Sequence, residues 1–148
     1  MENKDNNPLV GAWKLASFEV RRKNGATHHP FGNNARGIIL YTDTGRVSVS
    51  MSQNGRPQVK SGDMMDASHE EMAASFRGYI GYFGRYEYDA KNNTVLHHVK
   101  GSLFPNWIGD TLKRKVKIEG DKLELMTEPT LYGTEDVTAV VTWERIAE

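Results

Sequence analysis

The chain has 148 residues, enough to bury one core and too few for two, and its 19 Lys and Arg balance 19 Asp and Glu to a formal net charge of zero. A neutral chain offers no overall field to attract a phosphate backbone or an anionic membrane surface, so charge-driven nucleic-acid or lipid binding is not expected. Cysteine is absent, which excludes disulfides, thiolate metal sites and a cysteine nucleophile together.

Residues 1–8, MENKDNNP, are polar and end on Pro8, which predicts a disordered lead to one domain over residues 9–148. This stretch lacks the apolar segment of a secretory signal, and no run is long enough to span a bilayer, so a cytoplasmic location is expected. From Val10 to Arg22 the strand-favouring Trp13, Phe18 and Val20 lie in a run without proline that stops at Lys23-Asn24-Gly25, predicting a long first strand. Gly37 to Thr42 and Arg46 to Ser52, joined by Asp43-Thr44-Gly45, predict a hairpin with Val47, Val49 and Met51 on one face and Arg46, Ser48 and Ser50 on the other.

After the polar stretch from Gln53 to Asp63 the period changes. Met65, Met72, Ala73, Phe76, Tyr79 and Ile80 fall near helical spacing, and Ser68 with Glu71 has the spacing of a capping box, predicting a helix from about residue 67 to 79. Strands resume over Gly81 to Asp89, Thr94 to Leu103, Thr111 to Glu119, Lys122 to Glu128 and Val137 to Ile146. Turn signals separate them at Lys91-Asn92-Asn93, around Pro105, at Gly120-Asp121 and near Gly133. About eight sequential strands with short turns predict an all-β, antiparallel up-and-down barrel, with the helix between its third and fourth strands. Closing the sheet removes both edges and leaves an interior suited to one small ligand.

Gly11-Ala12-Trp13 opens the first strand and Trp143-Glu144-Arg145 closes the last, and closure makes these strands neighbours. The segments LVGAWKL, PFG, GIILYT, GYFGRYEYD, VLHHVKGSLFPNWIG, GDKLEL and WER, in this order, resemble the bacterial lipocalin-like domain family from about Leu9 to Arg145. The resemblance implies a calycin barrel and no single activity. It also implies structural roles for Gly11, Trp13 and Arg145, with the indole packed across the barrel floor under the guanidinium in a cation–π contact. The chain departs from secreted lipocalins in having no disulfide, no Thr-Asp-Tyr motif and a helix placed earlier, which argues against retinoid or pheromone transport.

Strand parity selects the interior residues. Lys113, Lys115 and Lys117 alternate with Leu112, Arg114, Val116 and Ile118, so Arg114 points inward as an anchor for a ligand anion or as half of an ion pair with Glu87 or another inward carboxylate. Val95 and Val99 share the parity of His97, which makes it the inward histidine, either an acid–base group or a satisfied core residue. Tyr82, Tyr86 and Tyr88 share a face with Gly84, leaving space beside three rings for an aromatic or oxygenated ligand unless the rings fill the barrel themselves. Met64, Met65 and Met72 with Phe76 are either an adaptable lid or ordinary helix packing.

The expected ligand-binding set is Tyr82, Tyr86, His97, Arg114, Met72, Phe76 and Trp107, and the catalytic set, if the protein is an enzyme, is His97, Arg114 and Tyr86. His97 and His98 point to opposite faces and the His28-His29 pair lacks a third ligand, so neither a metal nor another cofactor is expected. The expected function is binding of a small, partly apolar organic molecule by a monomer or homodimer, without nucleic-acid or membrane partners. The alternative is a cofactor-independent isomerase, cyclase or lyase acting by acid–base chemistry in the barrel. A third reading uses the Pro105 to Gly109 loop as an apolar interaction surface.

Overall fold

In the computed structural model, which describes residues 7–147, the strands are β1 (Gly11–Arg22), β2 (Thr27–His28), β3 (Arg36–Tyr41), β4 (Arg46–Ser52), β5 (Tyr79–Asp89), β6 (Thr94–Ser102), β7 (Thr111–Glu119), β8 (Lys122–Thr127), β9 (Thr130–Tyr132) and β10 (Glu135–Arg145). Helix α1 (His69–Arg77) lies between β4 and β5, and one turn of 3-10 helix covers Pro105–Trp107. Every pairing is antiparallel, and β1 bonded to both β3 and β10 closes eight strands into a barrel. The short β2 and β9, which hydrophobic patterning did not predict, each add to one side of a long strand. The helix therefore sits between the third and fourth barrel strands, as expected. It is shorter than the periodicity suggested, because Gly78 caps it and Tyr79 and Ile80 open β5.

Alternation explains most of what is buried, and bulges explain the exceptions. On β1, Trp13 and then Phe18 and Val20 face inward although their parities differ. The register against β10 shifts between Leu15 and Ser17, and this bulge turns the following side chains over. A second irregularity lies between Phe83 and Gly84, where β5 meets β6. A Cβ on Gly84 would stand 1.9 Å from the His98 carbonyl oxygen, so only glycine permits this approach of two backbones. The space expected beside Gly84 is thus filled by the neighbouring strand.

The closed end is built around Trp13, which is fully buried and donates its indole N–H to the Leu9 carbonyl at 2.9 Å. The Arg145 guanidinium lies 4.2 Å from the Trp13 ring centroid and donates to the carbonyls of Val10 at 3.1 Å and Pro8 at 2.8 Å. Gly11, at φ +133°, passes beneath the arginine, and a Cβ there would come within 3.0 Å of Nη1. The lead expected over residues 1–8 lies outside the described residues as far as residue 6. Asn7 donates to the Tyr86 hydroxyl at 3.0 Å, and Pro8 receives Arg145. Above this floor, Ile39, Val95, Leu123 and Trp143 are almost wholly buried, each contributing roughly 2 kcal/mol of transfer free energy.

Candidate functional site

The barrel encloses a cavity of about 550 Å³, a size suited to one small organic molecule. Its walls are mainly apolar, with Val20, Ile39, Val49, Met51, Leu125 and Trp143 from the strands. The exposed side chains of Phe76, Phe104 and Leu131 mark its open end. A chain of edge-to-face rings leads inward from the helix. Phe76 meets Phe104 at 6.5 Å between centroids, Phe104 meets Trp107 at 5.3 Å, and Trp107 meets Tyr82 at 5.9 Å.

The inner end of this chain is polar. His97 is 1% exposed, with Nε2 at 2.7 Å from the Tyr41 hydroxyl and Nδ1 at 2.7 Å from the Tyr82 hydroxyl. Burial first, then the Arg114 and His98 charges, lower its pKa from 6.5 to about 3, so the imidazole is neutral near pH 7. A neutral ring has one N–H and one lone pair, and the surrounding network assigns them. The buried Tyr41 hydroxyl has His97 as its hydrogen-bond partner among the described residues, so it donates to Nε2. Nδ1 then carries the proton and donates to the Tyr82 oxygen, which leaves the Tyr82 hydrogen available on the cavity wall. Burial raises the pKa of Tyr82, while the nearby Arg114 guanidinium acts in the opposite direction.

Parity correctly placed His97 and Arg114 inside and His98 outside, and the cavity wall brings together Tyr82, His97, Arg114, Phe76 and Trp107. Tyr86 and Met72 do not join them. Tyr86 lies toward the closed end, where its hydroxyl donates to the Thr42 carbonyl at 2.7 Å and its ring packs against Tyr41. Met72 is 49% exposed and does not line the cavity, Met64 and Met65 are almost fully exposed, and among the described residues α1 presents Phe76 and Arg77 to the cavity. Glu87 is not a partner for Arg114. It alternates with the inward tyrosines, faces out and meets His98 Nε2 at 2.6 Å. His28 lies in β2 rather than in a loop, and no cluster of three metal-ligating side chains occurs among the described residues.

Two residues were missed, Tyr41 behind the cavity wall and Trp143 on it. Tyr41 shares its parity with the inward Ile39, a signal visible in the sequence, but nothing local indicates that it reaches His97 from 56 positions away. Trp143, seen in the sequence only as part of the closing motif, lines the cavity, and its buried indole N–H meets no acceptor among the described residues.

The chain matches the lipocalin-like domain family over residues 10–146, nearly the whole barrel. It belongs to that family. Among curated proteins, this lipocalin-like domain is 34% identical over 107 residues to the 4'-hydroxy-3'-methoxypropiophenone carrier protein ppsC of Aspergillus oryzae. The match spans 68% of this chain and 96% of the relative.

Proposed function

We propose that this lipocalin-like domain is a carrier that reversibly binds a small aromatic molecule bearing oxygen acceptors. The observation that carries the reading is the cavity of about 550 Å³, whose aromatic entry leads to the Tyr82 hydroxyl and the Arg114 guanidinium. An aromatic ring fits against Trp107 and Phe104, and its oxygen accepts from the inner donors. The fungal relative's name supports the same class, an aryl ketone with oxygen substituents. Carriage is favoured over acid–base conversion because both nitrogens of His97 are engaged by tyrosines, leaving no free lone pair to take a substrate proton.

Titration with 4'-hydroxy-3'-methoxypropiophenone should quench the fluorescence of Trp107 and Trp143, and mass spectrometry should recover the ligand chemically unchanged. Tyr82→Phe should weaken binding by about 1 kcal/mol, roughly fivefold, as for one lost hydrogen bond. Absence of saturable quenching, or conversion of the ligand on incubation, would refute the carrier reading for this compound.

A further inference from the structure

We infer that the cavity holds its aromatic ligand as an oxyanion, paired with the Arg114 guanidinium and hydrogen-bonded by the Tyr82 hydroxyl. The inference rests on the carrier reading and adds the charge state of the cargo. Its first support is an imbalance on the cavity wall: Arg77 stands at the mouth and Arg114 inside, while no Asp or Glu among the described residues lines the cavity. Arg114 donates to the Lys113 carbonyl at 3.2 Å and hydrogen-bonds the Tyr82 oxygen, both uncharged partners, and has no ion pair with a carboxylate among the described residues. The other titratable groups on its side of the barrel are Tyr41, Tyr82 and His97, with Tyr79 and Tyr132 toward the mouth. Tyr41, Tyr82 and Tyr132 are all shifted upward and His97 downward, so these four supply no negative charge near neutral pH.

A guanidinium does not shed its proton in a protein, and its neutral partners carry no countercharge, so the remaining donors and the charge are met by water or by the ligand. An apolar ligand entering the barrel displaces that water, and a neutral one would leave the cation poorly compensated. An anionic oxygen restores the balance through a charge-assisted hydrogen bond. The second support is independent of charge. The His97 tautomer leaves the Tyr82 hydrogen for the ligand, and the Trp143 N–H has no acceptor among the described residues, so the polar wall is rich in donors. Aromatic carboxylates satisfy these requirements, as do phenols conjugated to a carbonyl, whose anion spreads over both oxygens.

The bound ligand's own spectrum tests this, because an acylphenolate absorbs at longer wavelength than its phenol. Bound 4'-hydroxy-3'-methoxypropiophenone should ionise about one pH unit or more below the free compound. Its affinity should then climb with pH from the bound to the free phenol pKa and level off above. Arg114→Met should return the bound pKa to the free value or higher, and Arg114→Lys should retain part of the shift. In parallel, wild-type protein should bind vanillate about tenfold more tightly than methyl vanillate at neutral pH. This second comparison decides the matter if Arg114→Met fails to fold or if the ketone does not bind. A bound phenol that titrates at or above its free value, or an ester that binds as tightly as the acid, would overturn the anion inference while leaving carriage intact. If none of the three compounds binds, both readings fall.

Discussion

One side chain, Arg145, joins the two ends of the barrel. Its guanidinium covers the Trp13 ring at 4.2 Å and supplies donors to two carbonyls of the chain entering β1. Arg145→Ala removes the packing, the cation–π contact and both hydrogen bonds, and should lower stability by about 1–3 kcal/mol. Urea denaturation reads this directly, and an unchanged midpoint would remove Arg145 from the floor. Closure made the two terminal strands neighbours, and the family resemblance implied the contact of indole and guanidinium. Tyr86, by contrast, misled. Its parity is correct, but parity does not reveal height along the barrel, and its ring sits below the cavity against Tyr41.

At the scale of elements, α1 is determined locally at its start and weakly held by the rest of the fold. Ser68 accepts from the Glu71 N–H at 3.1 Å while the Glu71 carboxylate receives the Ser68 N–H at 2.9 Å, the reciprocal pair anticipated from the sequence. None of its residues is buried, and Phe76 is the side chain that meets the aromatic loop through Phe104. An element with no buried residue beside the cavity mouth is placed to act as a gate. Phe76→Ala should speed dissociation of a bound aromatic ligand severalfold in stopped-flow fluorescence, with little change in the melting temperature. Met72→Ala should leave the rate unchanged, because Met72 does not line the cavity. Equal dissociation rates for wild type and Phe76→Ala would mean that ligands leave by another route.

At the scale of the whole molecule, the buried imidazole makes folding pH-dependent. His97 has a folded pKa of about 3 against an ordinary value of 6.5, so the unfolded chain binds more protons between these values. Stability from the neutral histidine is complete above about pH 6.5 and declines as pH falls toward about 3. Between about pH 7 and pH 5 the loss should be on the order of 2 kcal/mol. This window lies above the range in which Glu71 and Asp89, whose pKa values are lowered by local hydrogen bonds, contribute. Urea unfolding at the two pH values measures the loss, and His97→Gln should flatten the slope even though it destabilises the fold. A slope identical in wild type and variant would show that the imidazole is not held neutral.

The sequence by itself determined the number of barrel strands, the helix between the third and fourth, the floor pair Trp13 and Arg145, and the inward direction of His97 and Arg114. The floor contact was implied by the family resemblance; the others follow from short-range periodicity and from the requirement that a sheet of alternating faces close on itself. Tertiary structure alone decided the rest. The bulges at Leu15 to Ser17 and at Phe83 to Gly84 change parity or fill space through the approach of another strand, which no local pattern encodes. The Tyr41–His97–Tyr82 relay joins three strands, and the separation of Arg114 from Glu87 depends on which side of a shared sheet each residue occupies. Faces are written in the chain two residues at a time; which side chains meet across the interior, and at what depth, depends on how the strands stagger when the barrel closes.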